Sequence, residues 1–155
     1  MTKQAANDNC RVQLFSRSSS RQNPGVSAWT CYGCNDKAEK ITSGWIDHST
    51  NIRSELEGLV STLKTYPNGT CITYHSSSDH IVKGLNKHMH TWSKNGWITS
   101  RNNEVANVDL WRKLACEHKR LRIKTVWVHH KAIDKILPVL KEELSLTFQA
   151  ANDTA

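Results

Sequence analysis

The segment Met89-His90-Thr91-Trp92-Ser93-Lys94-Asn95-Gly96-Trp97 carries most of the information about the fold of this chain. It is preceded by Gly84-Leu85 and followed by a second tryptophan-containing block, Asn107-Val108-Asp109-Leu110-Trp111. The surrounding stretch from Lys83 to Lys124 contains ten Lys and Arg residues but three acids, so it alone accounts for the net charge of +7. Such local basicity favours a polyanionic partner, and the alternative is a solvated, solubilising surface.

Outside this segment the chain has the composition of a folded domain. Hydrophobic residues make up 37% of the 155 residues and six are tryptophans, which argues against a disordered chain. We expect one domain at 10–150, with tails at 1–9 and 151–155. No run approaches the roughly 18 apolar residues of a membrane span, and the polar N-terminus lacks the apolar core of a signal peptide. We therefore expect no membrane contact and a location in the cytoplasm or another intracellular compartment.

The five cysteines predict reduced thiols, because their number is odd and no export signal accompanies them. Cys31 and Cys34 form a CxxC pair, but no second pair stands at zinc-finger spacing. Positions i and i+3 of a strand point to opposite faces, which favours packed cysteines over zinc ligands. We predict no metal site here.

Hydrophobic periodicity predicts alternating strands and helices. Val12 and Leu14 alternate with polar residues as in a strand, whereas Ile52, Leu56 and Leu59 follow the helical period. The predicted strands are 11–16, 28–33, 40–46, 71–74 and 123–128, and the predicted helices are 50–63, 79–87, 89–92, 108–118 and 138–150. This order is typical of a mixed sheet covered on both faces.

Taken together, these blocks resemble type 1 ribonuclease H. The segment 89–97 is similar to the family's basic protrusion, 107–111 to the helix after it, and 124–128 to its last strand. Asn23-Pro24-Gly25 matches the turn after the first strand, and 50–56 the start of the first helix. The resemblance implies an α/β, ribonuclease H-like fold, with a five-stranded mixed sheet of three antiparallel and then two parallel strands and helices on both faces. It also implies cleavage of the RNA strand of an RNA–DNA hybrid by two magnesium ions on four carboxylates.

The four carboxylate positions of the family are poorly preserved in this chain. The resemblance places Arg17 at the first, Glu55 at the second and Ser77 at the third. The fourth falls on Lys141, or on Glu142 after a shift of one residue. These side chains sum to +1, or to −1 with Glu142, where the family carries −4. Because two divalent cations need compensating negative charge, we expect magnesium binding to be lost and no cofactor to be held.

This loss of carboxylates predicts a catalytically inactive protein, a ribonuclease H-like pseudo-enzyme. A weakly active, metal-dependent hybrid ribonuclease is the least favoured alternative. In the vacated site we expect the Arg17 guanidinium to form hydrogen bonds to Glu55 and neutralise its charge.

The residues that handle nucleic acid in the family are better preserved. Thr50 and Asn51 match positions that contact the DNA strand, and Trp92 matches a tryptophan of the protrusion. The predicted nucleic-acid-binding residues are Asn23, Thr50, Asn51, Lys83, Lys87, His88, Thr91, Trp92, Lys94 and Arg101. Trp97, Trp111 and Trp127 are expected to pack rather than to stack on bases. The expected partner is an RNA–DNA hybrid or a duplex, and the alternative is a structural or protein-interaction module within a larger complex.

Overall fold

Strand β1 (Arg11–Ser20) lies at the centre of the sheet because its alternate side chains are apolar or small. Val12, Leu14 and Ser16 are buried, whereas Arg11 and Gln13 are exposed. The structure is a computed structural model that describes residues 11–21 and 25–153.

The sheet has the strand order β3-β2-β1-β4-β5. The four strands around β1 are β2 (Gly25–Cys34), β3 (Glu39–Ser49), β4 (Cys71–Ser76) and β5 (Arg122–Trp127). β1, β2 and β3 pair antiparallel, whereas β4 pairs parallel with both β1 and β5. The predicted trio of antiparallel strands followed by two parallel strands is confirmed. β1, β4 and β5 run in the same direction. The residues that follow the paired part of each strand therefore lie at the same end of the sheet.

Helices cover both faces of this sheet, as predicted. They are α1 (Asn51–Leu63), α2 (Asp79–Lys83), α3 (Met89–Lys94), α4 (Val108–Arg120), α5 (His130–Ile136) and α6 (Pro138–Asp153). Leu14 and Leu56 belong to a core under α1, whereas the neighbouring Phe15 packs with Tyr32 and Leu140 under α6. Successive residues of β1 therefore point to different cores, which places α1 and α6 on opposite faces.

The helical run from α2 to α3 includes a π-helical segment, Gly84–His88, and packs against α4. A Cβ atom at Gly84 would lie 2.2 Å from Cη2 of Trp111, so only glycine permits this approach. Trp111 is fully buried as a result, which confirms its predicted packing role. Trp127, in contrast, is 50% exposed, because β5 is an edge strand of the sheet.

The structure also departs from the predicted boundaries. β1 continues four residues beyond Ser16, since Arg17 to Ser20 pair with β2 although their sequence does not alternate. Helix α5 was not predicted; His129 caps it, and Nδ1 of that ring accepts from the Lys131 N–H. Helix α6 begins at Pro138 as predicted and continues to Asp153, with Ala151 buried.

Among the described residues, no helix has the length and apolar character needed to cross a bilayer.

Candidate functional site

Polar side chains cluster around Glu55 where the pairing of β1 with β4 ends, and we call this cluster the cleft. This residue lies in the second turn of α1, and 6% of it is exposed. Thr50 positions the helix, because its hydroxyl accepts the Arg53 N–H at the N-terminus. Ser16 on β1 and Ser76 on β4 approach the same carboxylate from the sheet.

Three hydroxyl groups donate hydrogen bonds to a single oxygen of Glu55. Ser16 Oγ and Ser76 Oγ each lie 2.9 Å from Oε1, and the Tyr74 hydroxyl lies 3.2 Å from it. The hydroxyl oxygens of Ser16 and Tyr74 also lie 2.6 Å apart, within hydrogen-bond distance of each other. These contacts hold the carboxylate in one orientation and satisfy it in the absence of bulk water.

Burial nevertheless raises the pKa of Glu55 above its usual value of 4.5. Hydrogen bonds from Ser16, Ser76 and Tyr74, together with the Arg17 charge, act in the opposite direction and lower the pKa. Burial and the nearby carboxylate also raise the pKa of Tyr74 well above 10.0. The tyrosine therefore stays a neutral donor.

The raised pKa of Glu55 predicts a specific pH dependence of stability. Because the folded protein binds this proton more tightly than the unfolded chain, the free energy of unfolding should fall as the pH rises from about 4.5 through the raised pKa. Glu55→Gln removes the titrating group and should flatten that decline, as measured by urea denaturation from about pH 4 to pH 8. Glu142→Gln, at an exposed site, is the control. An unchanged slope in Glu55→Gln would show that other groups cause the decline.

Arg17 pairs with Asp134 and not with Glu55. Nε of Arg17 lies 2.9 Å from Oδ1 and Nη2 lies 3.2 Å from Oδ2, which is a bidentate arrangement. About a fifth of each side chain is exposed. The predicted Arg17–Glu55 hydrogen bonds are therefore wrong, because α5 brings an acid that the sequence interpretation overlooked. The Arg17 charge still lowers the pKa of Glu55, although its hydrogen bonds go to Asp134.

The structure places the other predicted cleft residues as follows. Ser77 is half-buried at the end of β4, next to Ser78, whose hydroxyl caps α2. Lys141 and Glu142 are exposed in the first turns of α6, and Asp134 occupies the place beside Arg17 instead. Asp134 lies on the seven-residue helix α5 beside the fully buried Ile133, and only the sequence of that short helix could have indicated it.

Both carboxylates of the cleft accept hydrogen bonds from neighbouring side chains. Oε1 of Glu55 is taken by three hydroxyl donors, and both oxygens of Asp134 are taken by the Arg17 guanidinium. Within residues 11–21 and 25–153, no group of three or more His, Cys, Asp or Glu side chains is arranged to hold a metal ion.

A second feature lies on the helical run after β4, where predicted binding residues meet. His88, Thr91 and Trp92 line one concave cavity of about 460 Å³, closed on its other side by the loop after α3. The Trp92 ring lies 5.5 Å from the His88 ring and 5.4 Å from the ring of Trp111. Packing against Trp111 therefore fixes the Trp92 ring, which also lines the cavity.

Exposed cations accompany this cavity. Lys87, Lys94 and Arg101 are exposed and make no ion pair within the described part of the chain, whereas Lys83 pairs with Asp79 at 2.8 Å. We call Lys83, Lys87, Lys94 and Arg101 the basic ridge. Its effective charge is carried by the three cations that have no acidic partner.

Thr50 and Asn51 lie apart from the ridge, at the wall of the cleft. Thr50 is half-buried at the start of α1, and the carbonyl of the exposed Asn51 accepts a 3.3 Å hydrogen bond from Ser18. This hydrogen bond joins α1 to β1 close to Arg17. Asn23, the remaining predicted binding residue, lies outside the described residues.

Solved structures with the same fold include nucleic-acid complexes. The crystal structure of LC9-RNase H1, a type 1 RNase H with the type 2 active-site motif, matches 94% of this chain and 74% of that chain with a TM-score of 0.74 at 16% identity. LC11-RNase H1 in complex with an RNA/DNA hybrid matches 78% of this chain and 87% of that chain with a TM-score of 0.57, also at 16% identity. At these identities the similarity establishes the fold.

Curated relatives are closer in sequence. Ribonuclease H of Chromohalobacter salexigens is 32% identical over 124 residues, covering 80% of this chain and 76% of the relative. Ribonuclease H of Hahella chejuensis is 33% identical over 120 residues, covering 76% of this chain and 79% of the relative.

These relatives overturn the prediction that the chain is not an enzyme. They bear the name of an enzyme and match this chain over three quarters of its length, so the pseudo-enzyme interpretation is wrong. That interpretation relied on single carboxylate positions, whereas the relationship rests on the chain as a whole. The family model described as RNase H matches residues 9–135. The chain belongs to the ribonuclease H family.

Proposed function

We propose that this ribonuclease H family protein binds RNA–DNA hybrid through the basic ridge and the adjoining cavity. The observation that carries the proposal is the position of Lys87 and Lys94, exposed and without acidic partners, on the same helical run as the cavity residue Trp92. Exposed cations neutralise backbone phosphates and release counterions, which supplies much of the affinity for a duplex.

The cleft wall offers a second contact region, suited to the other strand of the hybrid. Thr50 and Asn51 present a hydroxyl and an amide beside Arg17, and groups of this kind bind phosphate and sugar oxygens. The hybrid complex of LC11-RNase H1, which shares the fold, supports a hybrid as the partner. Recognition would then depend on backbone geometry and the RNA 2′-hydroxyl groups rather than on base sequence.

Fluorescence anisotropy with RNA–DNA hybrid, duplex RNA and duplex DNA of one sequence tests this proposal. We expect hybrid to bind most tightly, and three unpaired cations predict a slope of about −3 for log K against log salt. Equal binding of all three duplexes would contradict the choice of hybrid. Undetectable or salt-independent binding would favour the protein-interaction module.

Hydrolysis of the RNA strand is the second candidate function, favoured by the enzymatic relatives. Glu55 and Asp134 are the two carboxylates that the structure places around Arg17. Because the Arg17 guanidinium pairs with Asp134 and its charge acts on Glu55, we propose that divalent cations bind weakly and that cleavage is slow. Incubation of hybrid with millimolar magnesium or manganese, beside Glu55→Gln and Asp134→Asn, tests this, because genuine cleavage must depend on both carboxylates.

A further inference from the structure

A second basic surface lies at the end of the sheet opposite to the cleft, where β1, β4 and β5 begin. A concave cavity of about 490 Å³ lies there, and a second cavity of about 420 Å³ lies beside it between α3 and α4. His118, near the C-terminus of α4, lines both of them. We call these two cavities and their rims the back surface.

The back surface is lined by cations and by no acidic side chain of the described residues. Its cationic lining consists of Arg112 and Lys119 in the first cavity and Arg11, Arg122 and Lys124 in the second. None of these five forms an ion pair within the part of the chain that the structure describes. Their charges are therefore uncompensated and available to an anionic ligand.

Apolar and aromatic groups form the floors of the cavities. Met89 and Trp97 line the first, and Ile72 and Ile123 line the second. The Arg112 guanidinium carbon lies 6.0 Å from the centre of the Trp97 ring, so this cation is held over an aromatic face. Each cavity thus combines an apolar floor with a basic rim.

Helix electrostatics explains only part of this arrangement. His118 and Lys119 lie in the last turn of α4, where cations stabilise the negative end of the helix dipole. Arg11, Arg122 and Lys124 lie on strands and have no such role. The cations on α4 and those on the strands together are suited to a ligand that carries several negative charges.

We propose that the back surface binds single-stranded nucleic acid, with phosphates on its cations and a base in each cavity on either side of His118. A duplex is convex and keeps its bases inside, so it cannot fill two concave cavities with apolar floors. A single strand can place unstacked bases on apolar or aromatic groups while its backbone follows the cations. This inference does not depend on hybrid binding, because the cleft and the basic ridge contain none of these residues.

The decisive variant is Lys119→Glu with Lys124→Glu, which changes one exposed cation at each cavity. With a fluorescent oligothymidylate, we expect its Kd to rise at least about tenfold, while the Kd for hybrid changes less than about twofold. The control is Lys135→Glu with Lys141→Glu, an equal charge change at exposed sites elsewhere. Oligothymidylate that does not bind the native protein, or binds the Lys119/Lys124 variant equally well, overturns the proposal.

A second measurement locates the bound strand. Burial and the neighbouring His90 lower the pKa of His118, and the two rings are 5.1 Å apart. A phosphate placed beside His118 favours the imidazolium, so its pKa should rise when oligothymidylate binds. NMR titration of the imidazole resonances measures this. If bound oligothymidylate leaves the pKa of His118 unchanged, or if the Lys87→Glu, Lys94→Glu variant no longer binds it, the strand lies on the ridge. Either result would contradict the proposal.

Discussion

The variant Lys87→Glu with Lys94→Glu should bind RNA–DNA hybrid about 100-fold more weakly than the native protein at low salt. Each substitution removes a cation that has no acidic partner and places a carboxylate opposite a phosphate. Both side chains are exposed, so the fold should be retained. The loss should be similar for hybrids of different sequence, because phosphate contacts carry no base information. Anisotropy titrations at several salt concentrations measure the effect.

Two comparisons make this prediction specific to the ridge. Lys135→Glu with Lys141→Glu carries the same charge change on α5 and α6, away from the ridge, and should bind hybrid within about twofold of the native protein. The ridge variant should also show a shallower salt dependence, since fewer counterions are released. Equal weakening by both variants would mean that net charge, rather than the ridge, determines affinity.

The sheet could be predicted from local sequence because its strands obey simple periodicities. Val12 and Leu14 alternate with exposed residues on β1, and Leu56 and Leu59 recur on the buried side of α1. The topology, however, followed from the family resemblance and not from these patterns. Alternation indicates which side of a strand is buried, but it does not indicate which strand lies beside it.

The cleft was predicted less well because it depends on contacts between residues far apart in sequence. Glu55 lies on α1 as expected, but its three hydroxyl donors come from two strands whose serines and tyrosine have many possible roles. Asp134 was overlooked because α5 is short and follows directly on the last strand. The family resemblance instead indicated Lys141 on the next helix, where the side chain is exposed.

Arg17, which pairs with Asp134 and whose charge acts on Glu55, is the target of the experiment with the largest expected gain. Arg17→Asp with Ser77→Asp replaces a cation and a neutral hydroxyl by carboxylates, which add to the negative charge of Glu55 and Asp134. Unit charges about 4 Å apart interact by up to about 4 kcal/mol at an effective dielectric constant near 20. Without metal, the crowded carboxylates should therefore destabilise the fold, and divalent cations should offset this repulsion.

We expect the Arg17→Asp, Ser77→Asp protein to bind magnesium at least about 100-fold more tightly than the native protein, which corresponds to about 2.7 kcal/mol. Its melting temperature should be lower than that of the native protein in chelator and should rise steeply with added magnesium, whereas the native protein should respond little. Hybrid cleavage should increase with magnesium occupancy. Arg17→Ala with Ser77→Ala is the matched control, because it removes the guanidinium without adding carboxylates. If that control responds to magnesium equally, removing the Arg17 charge is sufficient. If neither variant responds, the protein orients Glu55 for hydrogen bonding and not for metal ions. One of its two carboxylate oxygens, Oε1, is already held by Ser16, Tyr74 and Ser76.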